Sequence, residues 1–181
     1  MHGCTSPRRQ RGMTLIEQIM VVAITAVMAG VAVPPMHALL SRNRVQSAQM
    51  DLMAALQYAR GSAAEGGTRV VFCPTRDASR CSDESLWDGG WLLAVDRNHD
   101  NQPDGAPLRV GSSYAHVTIQ STAGRRRVSF QPDGSAAGSN LTVLICQPGG
   151  GGSALAVVVS NSGRIRGADA TSAQAAACAS V

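Results

Sequence analysis

The sequence contains no lysine and few aromatic residues. All 16 basic side chains belong to arginine, and tryptophan, tyrosine and phenylalanine together make up 3% of the 181 residues. With so few large side chains, a folded domain must build a thin core from alanine, glycine and valine, which favours a sheet-rich structure with many turns. The lack of lysine reflects genome composition more than function, although guanidinium groups are also good phosphate ligands.

Recognisable catalytic and metal-binding motifs are missing too. The cysteines form no Cys-x-x-Cys pair and the histidines no cluster, which disfavours a zinc site. No local signature pairs a nucleophile with a base. The glycine run at 149–152 lacks the Gly-Lys-Ser/Thr ending of a phosphate-binding loop. We therefore expect no enzymatic activity, no cofactor and no metal.

One segment leaves a cation alternative open. Asp96, Asn98, Asp100 and Asp104 place oxygen ligands as in part of a calcium loop, but the sixth position lacks glycine and Pro107 occupies the twelfth. The same residue types are common in hairpin loops. The loop interpretation is favoured over calcium.

A basic segment and a long apolar run begin the chain. Three arginines precede Gly12, and from Leu15 to Val33 the sole ionisable side chain is Glu17. Spanning a bilayer takes roughly 20 apolar residues, and the arginines would keep the amino end cytoplasmic. A carboxylate near the start of a membrane helix is costly without a partner. Cleavage after Gly12 would supply one, the α-amine of Met13.

This amino-terminal segment resembles the processing motif of type IV pilins and pseudopilins. It reads Arg11-Gly12-Met13-Thr14-Leu15-Ile16-Glu17, with Met13 where the family usually has phenylalanine. The resemblance implies that a prepilin peptidase cleaves after Gly12, that the new amino terminus is methylated, and that Glu17 docks the subunit into a filament. An uncleaved signal anchor is the alternative. A secretory signal peptide fits poorly, since prolines follow the apolar run where a small-residue cleavage site would be needed.

The chain divides by pattern into four segments. We expect a leader at 1–12, a transmembrane helix at 13–34, an amphipathic helix at 35–66 that continues into the globular domain, and a β-rich periplasmic domain at 67–181. Pro34 and Pro35 would bend the helix. Glycines 66 and 67 would end it. Its apolar face is predicted from residues mostly three or four apart, namely Leu39, Leu40, Ala48, Leu52, Leu56, Ala59 and Ala63.

Short strands separated by turns are predicted beyond Thr68. They lie near Arg69–Phe72, Trp91–Val95, Leu108–Val110, Val117–Gln120, Val128–Phe130, Leu141–Cys146 and Leu155–Ser160. Alternation such as Val128-Ser129-Phe130 predicts antiparallel sheets with one face in water. Of Trp87 and Trp91, we expect one in the core, and the other is core or a partly exposed stacking surface.

Four cysteines remain once Cys4 leaves with the leader. An even set on the exported side predicts disulfides, with three possible connectivities. We favour Cys73 with Cys81, which closes a short loop. Cys146 would then pair with Cys178 and attach the alanine-rich tail to the sheet.

The order of several motifs narrows the resemblance to the FimT/GspH branch of minor pilins. They are Cys73-Pro74, Trp87-Asp88-Gly89-Gly90-Trp91, Asp96-Arg97-Asn98-His99-Asp100 and Ser162-Gly163-Arg164-Ile165-Arg166. The resemblance implies an α+β, type IV pilin-like fold, with a long amino-terminal transmembrane and amphipathic helix packed on an antiparallel β-sheet domain.

Arginines concentrate in the carboxy-terminal half. From Arg109 onward there are six arginines and two acidic residues. In an extended segment Arg164 and Arg166 would project from one face and could bridge phosphates, with Arg125, Arg126 and Arg127 adding charge if they lie nearby. The resemblance implies DNA binding by a Gly-Arg-x-Arg motif in natural transformation, which Gly163-Arg164-Ile165-Arg166 matches. A solvated turn or an intersubunit salt bridge is the alternative.

These observations predict a minor pilin of a type IV pilus that binds DNA without sequence specificity for uptake. Its partners would be DNA, other pilins, a prepilin peptidase and, before assembly, the inner membrane. It would cross that membrane once, with its carboxy-terminal domain in the periplasm, and then join the surface pilus. Two alternatives remain, a structural minor pilin that primes assembly and the H-type pseudopilin of a type II secretion system.

Overall fold

The computed structural model describes residues 12–87, 89–122, 124–149 and 154–180, without the side chains of 31–38. The chain forms two compact units that divide between Ala38 and Leu39. The leader up to Arg11, the prolines at 34 and 35, Asp88 of the tryptophan motif and the glycines at 150–152 lie outside these described residues or side chains.

Helix α1 (Leu15–Gly66) supplies one wall of the core. It ends at its predicted glycines, where Gly67 has φ +58°, a conformation that costs glycine little. Its buried residues recur every three or four positions and are Val45, Ala48, Leu52, Ala55, Leu56, Ala59 and Ala63. The prediction was wrong for Leu39 and Leu40, whose exposed fractions are 62% and 49%. The buried stripe starts only at Val45.

Eight strands in the described residues form two antiparallel sheets. In chain order they are β1 (Val70–Pro74), β2 (Trp91–Val95), β3 (Arg109–Gly111), β4 (Thr118–Ser121), β5 (Val128–Phe130), β6 (Leu141–Cys146), β7 (Leu155–Val159) and β8 (Ile165–Asp169). One sheet has the order β3-β2-β1-β5 and the other β4-β6-β7-β8. A short helix, α2 (Ser172–Ala179), follows. The seven predicted strands are confirmed within one or two residues; β8 and α2 were not predicted.

The main core lies between α1 and the inner faces of both sheets. Trp87 and Trp91 are both buried there, with ring centroids 5.4 and 5.1 Å from that of Phe72. The alternative of an exposed stacking tryptophan is therefore wrong. A core with so few aromatic rings uses both indoles.

Strands β1 and β5 are covered on both faces, contrary to the expectation of one face in water, whereas β3 and β8 keep exposed positions. Strands β1 and β5 are buried at every position, including Ser129. The hydroxyl of Ser129 accepts a bond from Arg69 (2.9 Å), and its amide donates to Ser139 (2.9 Å). A buried serine is tolerated when its polar atoms are paired, so alternation of polarity did not report exposure.

Candidate nucleic-acid interface

A tight hairpin joins β7 to β8 and carries the predicted arginine motif. The amide of Ser160 donates to the carbonyl of Arg164 (3.0 Å), and the amide of Gly163 donates to that of Ser160 (2.9 Å). Gly163 is buried and has φ +75°, and a Cβ atom placed on it would lie 2.0 Å from the carbonyl oxygen of Gly134. The motif glycine is therefore required by backbone conformation and by packing.

The two motif arginines are exposed beside this glycine. Arg166 is opposite Val158 in the β7–β8 ladder, and β8 is at the edge of its sheet among the described strands. Within the described residues, neither guanidinium group forms an ion pair or a hydrogen bond. Both are thus available to an external anion.

Arg164 also lines a groove between α1 and the hairpin. The groove has a volume of about 440 Å³, and its lining is Gln57, Arg60, Gly61, Ala64, Asp133, Gly134, Arg164 and Ile165. Sequence reasoning missed Arg60, which looks like any other residue on the polar face of the helix. Its special position comes from two distant glycine turns that only the fold brings beside it.

Asp133 is the acidic residue of this groove. Its carboxylate accepts a hydrogen bond from the amide of Ser135 (2.8 Å). This bond lowers the pKa of Asp133 below its usual value, because it stabilises the ionised form. The groove lining therefore carries two guanidinium groups and one carboxylate.

The arginine triplet is engaged elsewhere. Arg126 and Arg127 both form ion pairs with Asp83, at 2.5 and 2.9 Å, and Arg125 donates to the carbonyl of Gly138. The three line a second cavity of about 470 Å³, with Arg69 and Asn101 among its other residues. The linings of the two cavities have no residue in common. Asp83 thus reduces the charge that the triplet offers to a polyanion.

The acidic loop after β2 is held together by its own backbone amides. Asp104 accepts from the amides of Arg97 and Asn98, and Asp100 accepts from that of Gln102 (2.8 Å). Asp96 is fully buried, accepts from the amide of Asn101 (3.1 Å) and faces Arg69 at 3.4 Å. In the described part of the chain, no group of three or more acidic, histidine or cysteine side chains could hold a metal ion.

Both predicted disulfides are present. Cys73 is bonded to Cys81, and Cys146 to Cys178. The first lies in a small apolar cluster on the outer face of β1 and β2. The second lies in a cluster that attaches α2 to the other sheet.

Comparisons with known proteins place this architecture in a family. Residues 48–163 match the family described as "Type II transport protein GspH", and residues 7–33 match the prokaryotic N-terminal methylation motif. The pilin-like protein PilA1 of Thermus thermophilus is 30% identical over 165 residues, which cover 87% of this chain and 97% of that protein. The chain belongs to the FimT/GspH family of type IV minor pilins.

Solved structures of a minor pilin share the fold. Two crystal forms of the type IV minor pilin FimU from Pseudomonas aeruginosa align with TM-scores of 0.57 and 0.55, at 26% and 25% identity. They cover 69% and 68% of this chain, and 88% and 91% of the FimU chains. The predicted α+β pilin fold is thereby confirmed. Minor pilins of this family are structural proteins and not an enzyme class.

The amino-terminal part of this FimT/GspH minor pilin carries the residues of the processing motif. Gly12, Met13 and Glu17 are exposed, and the amide of Glu17 donates to the hydroxyl of Thr14 (3.4 Å) where α1 begins. The methylation motif implies processing by a prepilin peptidase and association with other pilins. In the part of the chain that the structure describes, no helix has the length and apolarity needed to cross a membrane.

Proposed function

We propose that this minor pilin captures DNA for uptake in natural transformation, through Arg164 and Arg166 of the β7–β8 hairpin. The observation that carries the proposal is the contrast between arginine groups. Arg126 and Arg127 are paired with Asp83, whereas the two hairpin arginines are exposed and unpaired among the described side chains.

Phosphate is the ligand class that such groups favour. A guanidinium fork donates two parallel hydrogen bonds to a phosphate and stays charged at any physiological pH. Contacts to the DNA backbone alone carry no sequence information, so binding would not depend on the DNA sequence. Few contacts also mean weak, salt-sensitive binding by one subunit, which several subunits in a filament would strengthen through avidity. Arg126 and Arg127 would contribute less, because Asp83 competes with phosphate, and Arg125 already donates to the carbonyl of Gly138.

The location of the protein belongs to the same proposal. A prepilin peptidase would cleave after Gly12, and Met13 would become the methylated amino terminus. The apolar sequence Leu15–Val33 would hold the subunit in the inner membrane, with the carboxy-terminal domain in the periplasm, until it enters the pilus. The match to the methylation motif at 7–33 supports this route.

DNA binding is tested by titration with a labelled short duplex of mixed sequence. The protein is co-expressed with a prepilin peptidase and purified in zwitterionic detergent, and intact mass verifies that the leader arginines are gone. The double variant Arg164→Gln/Arg166→Gln should lose about tenfold or more in affinity at low salt, since two phosphate contacts are removed.

A matched control comes from α1. Arg42 and Arg44 are also exposed and two residues apart, so Arg42→Gln/Arg44→Gln removes the same charge from another surface and should retain most of the affinity. Equal losses in both double variants would reduce the effect to net charge. If wild type fails to bind even at low salt, the protein is better interpreted as an assembly pilin or as an H-type secretion pseudopilin, the role for which its matched family is described.

A further inference from the structure

We propose that Arg60 of α1 is a third phosphate-binding residue of this interface, and that the groove between α1 and the hairpin holds one backbone phosphate between Arg60 and Arg164. The proposal deepens the DNA-binding function and depends on it.

Arg60 is held in place by the turn at Gly134, which packs against Gly163 of the β7–β8 hairpin. Its Nε atom donates to the carbonyl oxygen of Gly134 at 2.9 Å. This bond uses one N–H of the guanidinium group and leaves the terminal nitrogens, which form no other hydrogen bond or ion pair with the described residues. A fork that is already oriented loses less entropy when it binds a phosphate.

Two glycines make room for this side chain. A Cβ atom on Gly134 would lie 3.2 Å from Nε of Arg60, and one on Gly163 would lie 3.3 Å from the same atom. Because Gly163 directly precedes Arg164, the backbone that receives Arg60 also fixes the start of the arginine pair. The glycine of the Gly-Arg-x-Arg motif thus connects an arginine of the helix to the arginines of the hairpin.

The groove chemistry suits a phosphodiester group. Arg60 and Arg164 line it together with the amide of Gln57 and the carboxylate of Asp133. Two guanidinium groups against one carboxylate leave a single excess positive charge, which matches the one negative charge of a backbone phosphate. Neither arginine forms an ion pair with Asp133 among the described contacts, so both remain available to the ligand.

The salt dependence of binding separates a phosphate contact from a structural role. For duplex DNA, each neutralised phosphate contributes about 0.9 to the slope of log K against log salt. Arg60→Gln should therefore reduce the magnitude of the slope by about 1 and lower the affinity at low salt on the order of three- to tenfold.

Two variants serve as controls. Arg60→Lys keeps the charge and should retain the slope, and Arg44→Gln removes a charge elsewhere on the same helix. The mature full-length protein and the mixed-sequence duplex are used throughout, and each variant is checked by thermal unfolding.

A second measurement needs no substitution at Arg60. Phenylglyoxal modifies accessible arginines of the wild-type protein, and mass spectrometry reports the rate at each site. Saturating duplex should slow modification of Arg60 and Arg164 by several fold and leave Arg44 unchanged. This readout holds even if Arg60→Gln destabilises the fold.

The outcomes distinguish this inference from the proposed function. If Arg164→Gln/Arg166→Gln loses affinity while Arg60→Gln keeps the wild-type slope and Arg60 is not protected, Arg60 only supports the turn and the inference is wrong. If the hairpin double variant binds as well as wild type, or wild type does not bind, the proposed function fails and the inference fails with it.

Discussion

The residues of the motif Gly163-Arg164-Ile165-Arg166 occupy positions with different physical requirements. Gly163 has a positive φ and no space for a Cβ atom beside Gly134, so the fold requires glycine whether or not the protein binds DNA. Ile165 packs against the main core. Arg164 and Arg166 lack any such intramolecular reason. The two arginines therefore indicate a functional role, whereas the fold alone accounts for the glycine.

Asp77 should make stability depend on pH in the acid range. Its carboxylate accepts from the amides of Ser79 and Arg80, both at 2.9 Å, and these bonds lower its pKa from 3.8 to about 2. A carboxyl group with a depressed folded-state pKa stabilises the fold above its unfolded pKa, and that contribution is lost as pH falls through the folded value. Asp77→Ala should thus lower the thermal midpoint by a few degrees near neutral pH, and the difference from wild type should shrink between about pH 4 and pH 2.

Thermal unfolding followed by circular dichroism across this pH range checks the effect. Glu65→Ala removes an exposed carboxylate at the end of α1 and should show no comparable pH-dependent difference. A gap between Asp77→Ala and wild type that stays constant down to pH 2 would show that these hydrogen bonds do not contribute through ionisation.

Individual residues show where sequence reasoning stopped. The exposure of Arg164 and Arg166 follows from their place beside a turn, but the pairing of Arg126 and Arg127 with Asp83 joins distant segments. The position of Arg60 could not be predicted for the same reason, because its partner Gly134 is 74 residues away. Contacts at such separations depend on how the sheets pack, and local pattern does not encode them.

At the scale of elements, part of the outer face of each sheet is covered by a segment that a disulfide attaches. The loop closed by Cys73 and Cys81 covers the outer side of β1 and β2. Helix α2 packs on β4 and β6 and is attached through Cys146 and Cys178. A core with few aromatic residues gains little from each small side chain, and covalent closure compensates for this by restricting the unfolded chain.

Cys146→Ser/Cys178→Ser should loosen α2 before it affects the sheets. The bond closes a segment of 32 residues, for which chain entropy gives about 3–4 kcal/mol of stabilisation. An eight-residue helix is marginal alone, so amide exchange in α2 should accelerate by at least about tenfold while β6 and β7 stay protected.

The other disulfide supplies the control. Cys73→Ser/Cys81→Ser opens a loop with a separation of 8 residues, and should leave exchange in α2 unchanged. Intact-mass mapping of the wild type must first show four oxidised cysteines; free thiols at Cys146 and Cys178 would remove the basis of this prediction.

The two elements missing from the predictions, β8 and α2, escaped notice for different reasons. Strand β8 contains Gly167 and Ala168 where strand patterns have β-branched or aromatic residues, and its ladder with β7 supplies the stability that its sequence lacks. Helix α2 is alanine-rich and short, yet Thr171 and Gln174 form a capping box. That Thr-x-x-Gln spacing was the one local signal that could have found the helix.

At the scale of the whole molecule, net charge says little about where DNA would bind. Without the three leader arginines, 13 arginines face 12 acidic residues, so the mature chain is nearly neutral. What differs across the surface is pairing. Acidic side chains pair with Arg126, Arg127 and Arg69, whereas the hairpin arginines and Arg60 have no acidic partner in the described contacts. Polyanion binding should therefore follow the unpaired guanidinium groups that lie together at the hairpin and its groove, and not the local count of arginines.

Assembly of the whole subunit into a filament should depend on Glu17. Glu17 lies in an apolar run and has no basic partner among the described side chains, and an ionisable group in a membrane segment is costly unless another group pairs with it. The α-amine that cleavage creates on Met13 of the same or a neighbouring subunit would be such a partner.

Glu17→Ala keeps Gly12 and Met13, so leader removal should proceed. Incorporation into sheared pili should fall about tenfold, as expected for the loss of one desolvated ion pair. Glu65→Ala, at the other end of α1, should assemble normally. Wild-type amounts of Glu17→Ala in sheared pili, measured by immunoblot against total processed protein, would exclude this role for the carboxylate.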